Sequence, residues 1–464
     1  MKKLLSMMLI IAIVLSAALA GAETVVDPEA NRNITINKAG TNEVPAGISP
    51  TTGRDLAAVY EEYFGEGSDY AGENMTWDGM AVSGQYYPIM VLHTGINGAV
   101  DYGAPFYGNT ADIYYEIAKY SPGVTRLLML FNDVLPSYAG PSRSLRVQYL
   151  FIRQEWNAPL FFHGMQEKDF STRFTTHCLY MMSYFGLPYS WNNAVQDNER
   201  MTFNGADGSK AHLAYKYRFQ KYADQNSVLW DIASAKREYL GDRTAQLQNY
   251  NHTLKFGDMT VEGDDAETVY VYFNTEKAYE AKDSSEGTTW INSMYSWDEE
   301  DQQYHRYMIT DLNNPDSNAI PFTEQRLSNT SVTGPLSAGS ATAAGLGLKG
   351  DVIITDEKDG AITFSNVIVQ HIGMHWIRSD APYPNIVGSG NADYFIGGKH
   401  YSGVWSREGA DYRTSFDERT VFYGEDGNEI SLQPGRTIII LLDGFDVDEN
   451  DNYTRNPLRV LKYE

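Results

Sequence analysis

The stretch Thr125–Phe131, TRLLMLF, is a short apolar run bounded by turn residues, and it decides the fold class. A short apolar run of this kind predicts a buried strand. Tyr87–Leu92 and Leu160–Gly164 indicate further buried strands, whereas Leu145–Trp156 has helical spacing. This alternation of strands and helical segments predicts an α/β layer arrangement for residues 81–250.

After about residue 250, the pattern changes to short alternating strands separated by turn signals such as Asp359-Gly360. The predicted strands are Thr268–Phe273, Tyr304–Thr310, Val352–Thr355, Ala361–Ile368 and Thr437–Leu442. The sequence therefore predicts an α+β fold, in which a mixed α/β domain is followed by a β-rich domain at 251–464. An N-terminal extension is expected at 23–80, and the small, uncharged residues of 328–348 predict a flexible insertion.

The first 22 residues have the order of a secretory signal peptide. Lys2 and Lys3 supply the positive charge, the segment from Leu4 to Ala20 contains no charge, and Ala20-Gly21-Ala22 precedes Glu23 as a cleavage site. Cleavage after Ala20 and an uncleaved anchor are the alternatives. We expect a secreted protein with no transmembrane segment after cleavage.

The chain is acidic, with 36 basic and 60 acidic residues and a net charge of −24. Such a charge repels nucleic acid phosphates and anionic surfaces, so we predict no nucleic acid partner. Cys178 is the single cysteine and excludes an internal disulfide. Its apolar surroundings predict a small core residue rather than a nucleophile. The 33 tyrosines suit sugar stacking and half-buried strands equally.

Several blocks of the sequence resemble one family. They are Ser49–Gly53, Ala111–Glu116, Gly123–Arg126, Gly140–Arg146 (compare Gly-Pro-Val-Arg-Ser-Ala-Arg), Ser365–Val369, Gly403–Arg407 and Leu432–Thr437. In this order they resemble the YerB-like lipoproteins, extracytoplasmic proteins mostly of Gram-positive bacteria with a two-part domain of unknown function. The resemblance implies a two-part architecture and a cell-envelope location, and it implies no established reaction.

The chain departs from this family at the lipid attachment site. Family members carry a cysteine there, whereas Leu19-Ala20-Gly21 is followed by Ala22, which cannot be acylated. We therefore expect a protein that is secreted or associated with the envelope and is not lipid-anchored.

The densest group of polar side chains lies between residues 112 and 163. Its members are Asp112, Glu116, Arg126, Arg143, Arg146 and His163. Arg143 and Arg146 stand three residues apart at the start of a predicted helix, so we expect them to share a face. Arginine forks and a helix N-terminus both attract carboxylate or phosphate, and this predicts an anion-binding site. In the alternative, Asp112 or Glu116 pairs with the arginines in a structural network.

Two catalytic arrangements are alternatives to this anion-binding site. Ser142 or Ser144 with His163 lacks the G-x-S-x-G elbow, and we expect Ser142 to cap the helix instead. Asp112 and Glu116 suit acid–base work on a glycosidic bond only if their segment is helical, because four residues of a strand span about 13 Å.

No zinc motif, P-loop or dinucleotide fingerprint is present, so we predict no cofactor and no metal. His371 and His375 lie in a segment predicted as extended, too far apart to share an ion. The sequence therefore predicts a secreted envelope protein that binds an anionic or glycan ligand or an envelope partner. The alternative is a hydrolase acting on an envelope glycan or phosphodiester; the sequence identifies no catalytic residue.

Overall fold

The computed structural model describes most of the chain from residue 23 onward. The described residues are 23–40, 44–70, 75–76, 88–93, 105–120, 124–156, 158–184, 202–204, 214–219, 222–235, 254–258, 262–276, 279–281, 288–290, 292–309, 311–316, 319–326, 332–333, 351–354, 356–357, 360–408 and 419–464. The predicted signal peptide lies outside them, as does the predicted insertion apart from 332–333.

Short strands dominate the described residues. The helices are α1 (Leu56–Phe64), α2 (Val147–Trp156), α3 (Cys178–Tyr184) and α4 (Ile232–Ala235), with a 3₁₀ turn at Gly108–Thr110. The strands up to residue 231 are β1 (Thr24–Val26), β2 (Met75–Thr76), β3 (Ile89–Leu92), β4 (Ile113–Tyr120), β5 (Val124–Phe131), β6 (Leu135–Pro136), β7 (Tyr138–Ser142), β8 (Leu160–Phe162), β9 (Thr202–Asn204), β10 (Ala214–Phe219) and β11 (Tyr222–Asp231). The later strands are β12 (Asp264–Asp265), β13 (Thr268–Tyr272), β14 (Tyr279–Ala281), β15 (Thr288–Trp290), β16 (Asn292–Asp298), β17 (Gln303–Ile309), β18 (Ala319–Pro321), β19 (Gln325–Arg326), β20 (Val332–Thr333), β21 (Asp351–Ile354), β22 (Asp356–Glu357), β23 (Thr363–Phe364), β24 (Asn366–Arg378), β25 (Ala381–Asn385), β26 (Gly388–Ile396), β27 (Lys399–Arg407), β28 (Val421–Gly424), β29 (Thr437–Val447), β30 (Tyr453–Arg455) and β31 (Val460–Tyr463).

The largest sheet, called the mixed sheet below, contains strands from both ends of the chain. Its order is β12-β27-β26-β24-β29-β4-β5-β3-β8-β9, with β25, β28 and β30 paired at its side. Strand β29 lies between β24 and β4 and runs parallel to both, so that Ile438 is the register partner of Val367 on one side and Tyr114 on the other. The sheet therefore crosses residue 250; the residue boundaries of the two parts stay a prediction.

Each face of the mixed sheet is covered by a different layer. On one face, Ile438, Ile440 and Leu442 belong to the core shared with the second sheet, β1-β31-β13-β16-β17-β18 with β23 beside β17. On the other face, called the helix side below, Ile439 and Leu441 share a core with α2 and α3. Alternate residues of a strand point to opposite faces, which explains why the apolar run of β29 is continuous.

The smaller sheets complete the described structure. Strands β20-β21-β10-β11-β7 form one sheet, and β14-β15, β19-β22 and β2-β6 form pairs. Among the described residues, no helix is long and apolar enough to cross a membrane.

The predicted β-rich character is confirmed, and several strand boundaries agree within a few residues. The α/β layer arrangement predicted for 81–250 is not confirmed, because β4, β5 and β3 are consecutive antiparallel neighbours and the two longer helices of this region lie on one face. Residues 111–118, which the sequence alone fits as either a helix or a strand, correspond to β4.

Two buried ion pairs connect the mixed sheet to the second sheet. Glu116 of β4 accepts from Arg306 of β17 at 2.8 Å, and Asp443 of β29 accepts from Arg459, just before β31, at 2.7 and 3.0 Å. All four side chains are fully buried. The Arg306 guanidinium also lies 4.4 Å from the ring centroid of Phe322. A buried ion is tolerated only with a close partner, so the two pairs constrain how the sheets pack.

Removal of Arg306 alone is expected to destabilise the protein strongly. Arg306→Leu leaves Glu116 buried without its cation and should lower the free energy of unfolding by about 3–5 kcal/mol. The double variant Glu116→Leu/Arg306→Leu removes both charges, so its free energy of unfolding should fall clearly less than that of Arg306→Leu. Urea unfolding measures both, with the exposed Arg455→Leu as control. An equal loss in the single and double variants would show that packing, and not the uncompensated charge, sets the cost.

Candidate functional site

Five basic side chains meet at one end of β4 and β5 on the helix side of the mixed sheet. The cationic cluster, as it is called below, consists of Lys119, Arg126, Arg143, Arg146 and His163. Four of these residues were expected from the sequence, and Lys119 was missed because its neighbours in space come from later segments.

Strand register places Arg126 and Glu116 on opposite faces. Arg126 is the cross-strand partner of Ile117, whose side chain lies in the helix-side core. Glu116 is the partner of Leu127, whose side chain lies in the core between the sheets. Since partners that stand opposite each other point to the same face, Glu116 is turned away from the cluster. A register irregularity between Ala118 and Tyr120 surrounds Lys119.

Arg143 and Arg146 lie in an extended connection and not on a helix. The Arg143 N–H donates to Leu92 O, and Arg143 O accepts from the His163 N–H at 3.0 Å. Arg126 donates to Ser144 O. Helix α2 begins only at Val147, so the prediction of a shared helix face was wrong. The connection is extended because its backbone pairs with the ends of β3 and β8, and these partners are distant in sequence.

Ser142 does not cap the helix. It belongs to β7, and its Oγ donates to Leu92 O at 2.8 Å. This bond secures the strand end from which the arginine-bearing connection leaves, so the predicted N-cap role was wrong and Ser142 positions the connection instead.

The basic groups of the cluster act on one another electrostatically. Burial lowers the pKa of Lys119 to about 5, and the charges of Arg126, Arg146 and Arg143 act in the same direction. Asp380 opposes them as the one acidic group among the main influences on this pKa. Burial, followed by the charge of Arg143, lowers the pKa of His163 to about 4. Burial and neighbouring guanidinium charges are therefore the main influences that lower the pKa values of Lys119 and His163.

Polar atoms beside the cluster are buried without a hydrogen bond inside the described structure. They are Nε of Arg146, Nδ1 of His163, the hydroxyl of Tyr149 and Oε1 of Gln148. Tyr149 is fully buried, and its burial raises its pKa while the charges of Arg126 and Arg146 lower it. Buried polar atoms without partners are rare and costly, and their concentration here marks a place suited to a polar ligand.

Asp112 has partners away from the cluster. Its Oδ2 accepts from the Thr51 hydroxyl at 2.5 Å and from the Asp133 N–H at 3.1 Å. Asp133 in turn accepts from the hydroxyls of Ser49 and Thr52. Burial and the charge of Asp133 raise the pKa of Asp112 well above its usual value, and burial raises that of Asp133. Asp133 was missed because sequence alone did not show the turn that returns it to Asp112.

The paired-carboxylate mechanism fails on this geometry. Asp112 immediately precedes β4 and Glu116 lies within it, so the extended spacing of about 13 Å applies. Both side chains are buried and engaged elsewhere, and neither of them is bonded to an arginine of the cluster in the described structure. The alternative in which they pair with these arginines is therefore wrong.

The remaining sequence candidates are structural. Cys178 is buried in α3, and burial raises the pKa of its thiol to about 12, as suits a core residue. His371 and His375 both lie in β24, as the extended prediction required. His371 binds the fully buried Asp393 at 2.7 Å, and His375 lies 3.7 Å from Asp451.

A concave feature lies beside α2, apart from the cationic cluster. It is a half-open cavity of about 300 Å³, called the aromatic cavity below. Its lining residues are Phe151, Arg173, Phe174, Thr175, Met181, Tyr184 and Tyr383.

Comparisons with known proteins agree with this two-part, β-rich class. Residues 99–217 match the family model "Protein of unknown function (DUF3048) N-terminal domain", and residues 348–439 match the corresponding C-terminal domain. The crystal structure of the YerB protein from Bacillus subtilis is similar, with a TM-score of 0.52 and 15% identity over 88% of this chain and 99% of that chain. No curated protein matches. The chain therefore carries a YerB-like two-part domain of unknown function. All five residues of the cationic cluster fall within the first matched segment.

Neutralising one of the paired buried carboxylates should change the pH dependence of stability. Because the pKa of Asp112 is raised in the folded protein, its contribution to stability is fully present below the unfolded pKa and is lost as pH rises through the folded pKa. Asp112→Asn retains an acceptor for Thr51 and removes this loss. We expect it to be more stable than the wild type near pH 8, by on the order of 1 kcal/mol, with a smaller difference near pH 4.

Thermal unfolding between pH 4 and pH 8 measures the effect, with the exposed Asp258→Asn as control. A variant that is destabilised equally at all pH values would contradict a raised pKa and leave only a lost hydrogen bond.

Proposed function

We propose that this chain is an extracytoplasmic protein that binds a ligand carrying a carboxylate or phosphate group at the cationic cluster. The observation that carries the proposal is the convergence of three arginines and Lys119 on the helix side, beside buried polar atoms of Gln148, Tyr149 and His163 that make no hydrogen bond to the described residues. In a chain with net charge −24, this concentration of basic groups is local and is not a property of the whole surface.

The residue types favour an oxyanion. A guanidinium presents a planar fork of donors that matches two oxygens of a carboxylate or phosphate. Gln148 holds the site against β4 by donating to Ala118 O at 3.1 Å, and Tyr149 places a buried hydroxyl beside the guanidinium groups. Partial burial strengthens each of these interactions relative to water.

The location is part of the proposal. The N-terminal sequence supports secretion, and Ala22 at the position of the family's lipidated cysteine supports a protein that is not lipid-anchored. Envelope glycans with acidic groups, wall-peptide fragments and envelope partner proteins are the ligand classes that carry such anions outside a Gram-positive cell. The hydrolase alternative gains no support, because its two proposed carboxylates lie away from the cluster.

Loss of one arginine should remove anion binding. Saturating sulfate, inorganic phosphate or glucose 6-phosphate at about 100 times its dissociation constant adds about 2.7 kcal/mol of stability, which raises the melting temperature by a few degrees. Arg146→Ala should abolish this saturable increase, and Arg455→Ala should keep it. Sulfate also stabilises proteins generally, so the difference between the two variants is the readout. An equal response in both variants would remove the cluster as the site.

Anion binding should strengthen as pH falls. With a pKa of about 5, Lys119 is mostly neutral at pH 7 in the free protein, and a bound anion raises this pKa, so binding takes up a proton. Sulfate affinity should therefore increase from pH 8 toward pH 5.5, by at most roughly tenfold per unit. Lys119→Met should flatten this dependence. Calorimetric titration with sulfate, whose own charge is constant in this range, tests it; an unchanged slope in Lys119→Met would contradict the assignment.

A further inference from the structure

The aromatic cavity is formed by four separate segments on the helix side. Phe151 comes from α2, Met181 and Tyr184 come from α3, and Tyr383 comes from β25, while Arg173, Phe174 and Thr175 precede α3. Its volume of about 300 Å³ is at the low end for ligand sites, which suits a ligand of one or two rings.

The walls combine ring faces with polar groups. Phe174 and Tyr383 pack with ring centroids 4.8 Å apart, and Phe151 meets Tyr383 edge-on at 5.4 Å. Thr175 adds a hydroxyl that donates to Asp169 and keeps its acceptor capacity, and the Tyr383 hydroxyl makes no hydrogen bond to a described residue. An aromatic face bordered by hydroxyls is complementary to a sugar ring, whose C–H groups lie on its faces and whose hydroxyls lie on its edge.

The single cation of the lining is already neutralised. Arg173 pairs with Asp451 at 2.5 Å and donates to Glu449 O. Its guanidinium also lies 4.7 Å from the Phe174 ring centroid, and the centroid of the His375 ring lies 4.4 Å from that of Phe174. These contacts fix the rings before a ligand arrives, which reduces the ordering cost of binding. Because Asp451 pairs with Arg173, the cavity offers little positive charge to an acidic ligand, in contrast to the cationic cluster.

We propose that the aromatic cavity binds an uncharged pyranose ring of a glycan, stacked on the ring of Tyr383 that Phe174 supports, with its hydroxyls toward Thr175 and the Tyr383 hydroxyl. This site is separate from the cationic cluster, and the proposal holds whether or not the cluster binds an anion.

The test uses the purified full-length mature chain and three uncharged probes: N-acetylglucosamine trimer, cellotriose and maltotriose. Saturation-transfer NMR and calorimetric titration should detect binding of at least one of them. Tyr383→Ala should weaken that binding about tenfold or more, because it removes a stacking face. Tyr383→Phe, which keeps the ring and removes one hydroxyl, should weaken it less. Tyr180→Ala is the matched control, because Tyr180 lies on α3 but is 63% exposed and outside the cavity.

Several outcomes would overturn the proposal. They are the absence of binding by all three trisaccharides, affinity that survives both Tyr383→Ala and Phe174→Leu in folded variants, and displacement of the sugar by phenol with higher affinity than the sugar itself. The last result would assign the cavity to an aromatic side chain of a partner. Arg146→Ala should leave sugar binding unchanged, so failure of the anion site and failure of the sugar site are measured separately.

Discussion

The parallel pairing of β29 with both β4 and β24 is the constraint on which the rest of the structure depends. Strand β29 comes almost at the end of the chain, yet it lies at the centre of the mixed sheet. Its residues from Thr437 to Leu442 are buried on both faces, and its backbone groups are paired along both edges. Parallel strands require cover on both faces, and here a second sheet supplies one cover and two helices supply the other. Neither matched family segment contains this whole sheet, so the two parts complete each other.

The strand register around β29 also determines which face of the mixed sheet each charged residue of β4 and β5 occupies. Because side chains alternate along β4 and β5, Glu116 points between the sheets, whereas Arg126 points to the helix side. Between the sheets, each buried carboxylate noted here has its own guanidinium, as in the pair of Glu116 with Arg306. On the helix side the basic residues gather instead, with Asp380 as the acidic influence on Lys119. A shift of register by one residue would exchange the two arrangements, so the site depends on the same pairing as the core.

Local patterns predicted the elements but not their partners. The run Thr125–Phe131 corresponds to β5, and the helical spacing of Leu145–Trp156 corresponds to α2, since both signals depend only on neighbours along the chain. The resemblance blocks contained most of the cluster. By contrast, the extended path through Arg143 is imposed by backbone bonds to Leu92 and His163, and no periodicity reveals such distant partners. The aromatic cavity was not predicted from the sequence for the same reason, because its walls come from separate segments.

Burial of several cations together requires a way to limit their repulsion, and the titrating members of the cluster supply one. With pKa values of about 5 for Lys119 and about 4 for His163, both side chains are mostly uncharged at neutral pH while the arginines keep their charge. The free site therefore carries less charge than its composition suggests, and it remains compatible with burial. In the proposed function, a bound oxyanion would reverse this balance, because it would stabilise the protonated amine and imidazole as hydrogen-bond donors. A carboxylate placed beside Lys119 and His163 would raise both pKa values and favour the protonated groups. Asp112 and Glu116 bond to Thr51 and Arg306 instead, so neither carboxylate offsets the lowered pKa of Lys119.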